Sequence, residues 1–152
     1  MPELKEGDPA PEISLATDTG EPFHLSSLKG QEVILYFYPK ADTPGCTTES
    51  CEFRDEFAHL RRKKASVIGV SPDTVVAQAK FKAKYQLPFT LLADRDHQAA
   101  EAYGVWKEKS MYGRKHMGVE RTTFLIGAEG KIRKIFRKVK PAGHAAEVLA
   151  EL

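Results

Sequence analysis

An α/β fold, with a central mixed sheet flanked by helices and an N-terminal β-hairpin, is what this sequence predicts, and three observations carry the prediction. Short runs rich in β-branched and aromatic residues, at 33–38 (Val-Ile-Leu-Tyr-Phe-Tyr), 66–70 and 122–126, have the length and composition of buried strands. Between them lie amphipathic stretches, such as Phe53, Phe57 and Leu60 spaced helically among charged residues. The last third carries two short apolar runs around Gly127-Ala128-Glu129-Gly130, a hairpin pattern.

Taken in order, a leader containing Gly7-Asp8-Pro9-Ala10-Pro11 is held extended by its prolines. Ile13-Ser14-Leu15 is a strand that the polar turn Thr17-Asp18-Thr19-Gly20 folds back onto Phe23-His24-Leu25. Ser26-Ser27-Leu28-Lys29-Gly30 is a brief helical turn closed by glycine, and it delivers the chain to the strand at 33–38. A loop and a helix to about Lys64 follow, then the strand at 66–70, ended by Ser71-Pro72-Asp73. From Thr74 the apolar positions Val75, Val76, Ala79, Phe81 and Tyr85 suit a helix. Thr90-Leu91-Leu92-Ala93 is a short strand after Pro88, and residues 94–103 form a helix stopped at Gly104. Residues 105–120 hold the only Trp and show no clean period, which predicts a long loop. The final hairpin precedes a closing helix over about 142–152. This order, β-α-β-α-β-β-α, is that of a thioredoxin-like sheet, and a length of 152 residues suits one domain over 1–152.

Charged residues make up 29% and hydrophobic ones 41%, and no apolar run approaches the roughly 20 residues of a membrane-spanning helix. A net charge of +2 gives no ground for nucleic-acid binding, and Arg61-Arg62-Lys63-Lys64 and the basic segment 131–140 read as solvated faces. The stretch 1–6 has neither the apolar core of a secretion signal nor a transit composition, so the cytoplasm is the expected compartment. The chain has no Asn, which excludes N-glycosylation and a Cys-His-Asn triad.

The two cysteines, Cys46 and Cys51, sit in one stretch from Pro39 onward, where a strand passes into a helix. A thiolate is the nucleophilic form, and free cysteine is mostly protonated at neutral pH, so the surroundings decide its reactivity. Thr43-Pro44-Gly45 places Cys46 in the first turn of the helix, where unpaired N–H groups and the dipole favour an anion. Pro39 and Pro44 restrict the backbone, Gly45 permits close approach, and the Thr43 hydroxyl is suited to bond both the sulfur and a bound oxygen. On a helix, residues five apart have Cα atoms roughly 8–9 Å apart. A disulfide tolerates about 6.8 Å, so any bond between these two thiols requires the helix to unwind. Two cysteines do not complete a zinc site, and the five dispersed histidines, His24, His59, His97, His116 and His144, read as surface or loop residues; no metal and no cofactor are expected.

The pattern Pro39-x-x-x-Thr43-x-x-Cys46, with Cys51 five residues on, resembles the active-site signature of the peroxiredoxins, specifically their bacterioferritin comigratory protein or PrxQ subfamily. The likeness extends through Gly7-Asp8-Pro9-Ala10-Pro11, Tyr103-Gly104-Val105-Trp106 and Gly118-Val119-Glu120-Arg121-Thr122-Thr123-Phe124. The resemblance implies a thioredoxin-fold thiol peroxidase acting on hydrogen peroxide and organic hydroperoxides. It makes Cys46 the peroxidatic and Cys51 the resolving cysteine, and Arg121 the cation that completes the site with Thr43 and Pro39. It also implies that Glu49 orients an arginine, and that thioredoxin or a related dithiol restores the enzyme. Resolution within one chain makes a monomer the expected state. A disulfide carrier of thioredoxin type would show Cys-x2-Cys, which closes without unwinding, so the spacing argues against that rival. A holdase that merely kept the motif is the other rival, and peroxide consumption separates it from a peroxidase.

Overall fold

The computed structural model describes residues 4–152; of the leader stretch 1–6, residues 1–3 lie outside the described residues. Strand β3 (Glu32–Phe37) is the axis of a seven-stranded sheet. It pairs in parallel with β4 (Ala65–Ser71) and antiparallel with β8 (Thr122–Ile126). Beyond β4 come β5 (Thr90–Ala93), β1 (Ser14–Thr17) and β2 (Pro22–His24), and beyond β8 lies β9 (Ile132–Phe136), giving the order β2-β1-β5-β4-β3-β8-β9. The N-terminal hairpin is thus β1–β2, joined to the sheet by two antiparallel pairs, Ala16 with Ala93 and Thr17 with Leu92. The extended leader runs along β9, with the Gly7 amide donating to the Ile132 carbonyl at 2.7 Å.

Because both sides of β3 are covered, its residues alternate between two cores rather than between core and water. Val33, Leu35 and Phe37 join Ile13, Tyr103, Val105 and Phe124 on one face. Ile34, Tyr36 and Tyr38 join Cys46, Phe53, Leu60, Phe81 and Val148 on the other. The second face carries helices α1 (Pro44–Asp55), α2 (Phe57–Arg62), α3 (Val75–Tyr85) and α5 (His144–Leu149), whereas α4 (Gln98–Ala102) packs on the first.

Four expectations need correction. Residues 105–120 are not a loop but a separate two-stranded ribbon, β6 (Trp106–Met111) and β7 (Arg114–Val119). Its strands bury little, so no apolar alternation marks them; the usable signal is Tyr112-Gly113, both at positive φ (52° and 76°), as a two-residue primed turn requires. The helix expected to run to about Lys64 breaks at Glu56 into α1 and α2. In α3 the side chains facing the core are Phe81, as expected, and Gln78, whereas Val76 is 63% exposed. Gln78 is satisfied there, accepting from the Tyr38 hydroxyl at 2.7 Å and donating to the Leu92 carbonyl at 2.8 Å. Finally, His144 is no surface histidine: it is buried at the start of a closing helix shorter than expected, with Nε2 2.7 Å from the Thr123 hydroxyl.

Candidate active site

The chain leaves β3 through Tyr38 and the half-buried Pro39 and reaches α1 by a loop tied at two points. The Ala41 amide donates to Asp73 at 2.7 Å, behind β4. Asp42, at φ 62°, accepts from Lys84 (2.9 Å) and from the Tyr85 hydroxyl (2.7 Å) at the end of α3. Those hydrogen bonds hold the Asp42 carboxyl below its ordinary value. Thr43 is the extended N-cap residue of α1 and Pro44 the first helical position, where a missing N–H costs nothing. The Thr47 amide closes the first helical bond, onto the Thr43 carbonyl at 2.8 Å, so the amides of Gly45 and Cys46 have no intrahelical acceptor.

Cys46 is fully buried at this helix start, and Arg121, which directly precedes β8, donates from Nη2 to its sulfur at 3.2 Å. Arg121 also donates from Nη1 to Glu49 Oε1 at 2.7 Å. Burial works against the charge on Arg121, but Glu49 and Cys46 beside it outweigh burial and raise its pKa. Gly45 has a concrete role in this arrangement: a Cβ there would lie 3.1 Å from Arg121 Nη2 and 3.3 Å from Pro141 Cγ, so the bare backbone lets the guanidinium reach the sulfur. Thr43 differs from expectation. Its hydroxyl donates to the Lys40 carbonyl at 2.8 Å rather than to the sulfur, which leaves its lone pairs as acceptors. Cys51 is half-buried on α1, so one helix carries both thiols, and both are free.

Glu49 is the most strongly perturbed carboxyl of the site. Desolvation pushes its pKa up to about 7, with the charge and hydrogen bond of Arg121 pulling the other way, and its second oxygen is buried without a partner. A carboxyl that binds its proton more tightly in the fold contributes stability that is fully present below the ordinary value of 4.5 and is lost as pH rises through about 7. Glu49→Gln keeps an oxygen for Arg121 and removes the titration. We expect it to flatten the decline of urea-unfolding free energy across that pH window, measured on the reduced protein; an unchanged slope would assign the decline to another group.

Of the residues singled out in the sequence, the fold brings Cys46, Arg121, Glu49 and Gly45 into contact, places Thr43 at the helix cap and Pro39 at the strand exit, and keeps Cys51 along the helix. Among the described residues no group of three or more His, Cys, Asp or Glu is placed to hold a metal ion, and no helix is long and apolar enough to cross a membrane.

Comparison with known proteins agrees with this geometry. The sequence model of the AhpC/TSA family matches residues 6–135. Peroxiredoxin Bcp of Bacillus subtilis is 51% identical over 98% of this chain and 95% of its own length, and that of Escherichia coli K12 is 45% identical over 98% and 96%. A cysteine-to-serine variant of Xylella fastidiosa PrxQ superimposes with a TM-score of 0.93 at 37% identity, covering 99% of this chain and 96% of that one. A Xanthomonas campestris bacterioferritin comigratory protein, studied for alkyl peroxide reduction, superimposes with a TM-score of 0.87 at 40% identity, covering 91% and 88%. With matches of this length and identity, the chain belongs to the AhpC/TSA family, as a thiol-dependent peroxidase among the Bcp and PrxQ peroxiredoxins.

Proposed function

We propose that Cys46 is the peroxidatic nucleophile of this enzyme and Cys51 its resolving thiol. The observation that carries the assignment is the Arg121 guanidinium 3.2 Å from the Cys46 sulfur at the start of α1. The thiolate attacks one peroxide oxygen in line with the O–O bond; an S–O bond forms, the O–O bond breaks, and the departing oxygen leaves with the electron pair and takes a proton. Arg121 and the free amides of the first helical turn stabilise the charge that develops there. Thr43, whose hydroxyl already donates its hydrogen bond to the Lys40 carbonyl, accepts a hydrogen bond from the O–H of the bound peroxide and so selects the protonated oxygen. Pro39 fixes the backbone that precedes this pocket.

Cys46 is then a sulfenic acid, and the Cys51 thiol condenses with it to a disulfide with loss of water. The helix must open first. Its closed state is held by Ser50, whose hydroxyl lies 2.8 Å from that of Tyr36, by Glu52, which accepts from the Gly143 amide at 2.8 Å, and by the buried Phe53 ring, 4.9 Å from Tyr36 and 5.7 Å from His144. Thioredoxin or a related dithiol reduces the disulfide and is itself oxidised. Hydrogen peroxide and organic hydroperoxides are the substrates, a range supported by the alkyl peroxide activity of the Xanthomonas relative. A monomer suffices because both thiols lie on one helix, and a reducing compartment such as the cytoplasm suits the cycle.

One equivalent of peroxide added to the reduced protein is expected to remove two hydrogens and link Cys46 to Cys51, read by mass spectrometry. Hydrogen exchange over residues 47–52 should speed up in the oxidised form. A link elsewhere, or unchanged protection of α1, would defeat the assignment.

A further inference from the structure

Asp73 follows the last residue of β4, Ser71, across Pro72. One of its carboxylate oxygens, Oδ2, takes two donors: the Ser71 hydroxyl at 2.6 Å and the Ala41 amide at 2.7 Å. Ser71 is buried at the end of a central strand, so the carboxylate it holds is a fixed acceptor for the Ala41 amide. The Ala41 N–H and the Lys40 carbonyl belong to the same peptide unit, which is planar and turns only as a whole. That carbonyl accepts the Thr43 hydroxyl at 2.8 Å. An unbroken line of hydrogen bonds therefore runs from the end of β4 to the cap of α1, through the Ser71 hydroxyl, the Asp73 carboxylate, the 40–41 peptide and the Thr43 hydroxyl.

The loop does not hold this peptide by itself. Asp42, next along, sits at φ 62°, a left-handed conformation that is costly for a residue with a Cβ, and Lys40 and Asp42 are both exposed. The tie from Asp42 to Lys84 and Tyr85 grips a side chain and leaves the 40–41 peptide free to turn. Asp73 grips the peptide itself. What the direction of that peptide decides is the state of the Thr43 hydroxyl, which has one hydrogen to give and two lone pairs with which to accept. While the hydrogen points at the Lys40 carbonyl, only the lone pairs remain for a ligand. If the carbonyl turned away, the hydroxyl would be free to spin and to donate, and its preference for an O–H would be lost. The carboxylate also polarises the peptide whose amide it accepts, which strengthens the carbonyl as the acceptor of Thr43.

We propose that Asp73 is a positioning residue of the peroxidatic reaction: through the 40–41 peptide it holds the Thr43 hydroxyl with its hydrogen on Lys40 and its lone pairs toward the peroxide. It touches no reacting atom and moves no proton. This rests on the reading of Cys46 as the nucleophile and of Thr43 as the acceptor of the peroxide O–H.

The test measures two reactions of Cys46 in a Cys51→Ser background: oxidation by hydrogen peroxide, and alkylation by iodoacetamide, which has no O–H to offer Thr43. Asp73→Ala is expected to slow oxidation about tenfold, the scale of one hydrogen bond whose acceptor is no longer held in place, and to leave alkylation unchanged. Asp73→Ser, which keeps a polar group beside Ser71 but is too short to hold the Ala41 amide, should behave as Asp73→Ala does and serves as a second shortened variant. Asp73→Asn turns its amide oxygen toward the two donors, so oxidation should stay within about twofold of wild type. On Thr43→Val, adding Asp73→Ala should cost nothing further, because the group it positions is gone. Full-rate oxidation by both shortened variants, an equal slowing of alkylation, an Asp73→Asn variant as slow as Asp73→Ala, or the whole loss persisting on Thr43→Val would each overturn the proposal. A Thr43→Val variant that is oxidised at the wild-type rate would instead overturn the reading of Thr43 on which it stands, and retention of peroxide consumption by Cys46→Ser would overturn that of the nucleophile.

Discussion

Serine in place of Cys46 is expected to abolish peroxide consumption, with a loss on the order of 10⁴-fold or more, the scale on which removal of a covalent nucleophile is felt. The change is nearly isosteric at a fully buried position, so the fold should survive it. What disappears is the thiol that we propose as the nucleophile, at the start of α1. A serine hydroxyl at the same place still accepts from Arg121 but supplies no nucleophile at neutral pH. The measurement is peroxide consumed per mole of protein with dithiol in excess, alongside thermal unfolding to show that the chain is intact. Stoichiometric or better consumption by the serine variant would remove Cys46 from the reaction.

Arg121→Met should be nearly as damaging, with a rate loss on the order of 10²–10³-fold, because it deletes the donor aimed at the Cys46 sulfur and, in the proposed reaction, at the developing oxyanion. It also strands Glu49. That carboxyl, already pushed up to about 7 by burial, loses the partner that was pulling its pKa down, and so climbs further and binds its proton. Breaking a buried pair from one side costs about 3–5 kcal/mol. The destabilisation should therefore be largest at alkaline pH, where Glu49 would have to ionise unpaired, and smaller in acid. Adding Glu49→Gln to Arg121→Met should restore much of the stability at alkaline pH and none of the rate. Recovery of rate in the double variant would mean that Arg121 serves the fold and not the chemistry.

The ease of reading these elements from sequence followed how local their causes are. Strand β3 declares itself because both faces are buried, which leaves an unbroken apolar run, and the cysteine proposed as reactive declares itself because cap, proline, glycine and thiol are consecutive. Arg121 stands 75 residues from Cys46, and only the resemblance to a family brought it into the site. The β6–β7 ribbon left no apolar period because it packs so little hydrophobic surface. Gln78, read past in favour of Val76, faces the core because the Tyr38 hydroxyl and the Leu92 carbonyl need partners there, a demand that only the packed sheet creates. The hydrogen bond from Thr43 to Lys40 likewise depends on how the loop closes, not on the identity of the threonine.

The break at Glu56 bears on how this enzyme meets its reductant. Beyond it, α2 is anchored by Leu60, which is fully buried, so the proposed opening of α1 would stop at Glu56 and leave the sheet in place. On the proposed cycle, the spent and the fresh protein would differ chiefly in the backbone of α1. On the cycle proposed above, a dithiol that binds that segment unfolded would recognise only molecules with work to undo and release them when the segment coils again, so the same few residues would act as both the cargo and its label.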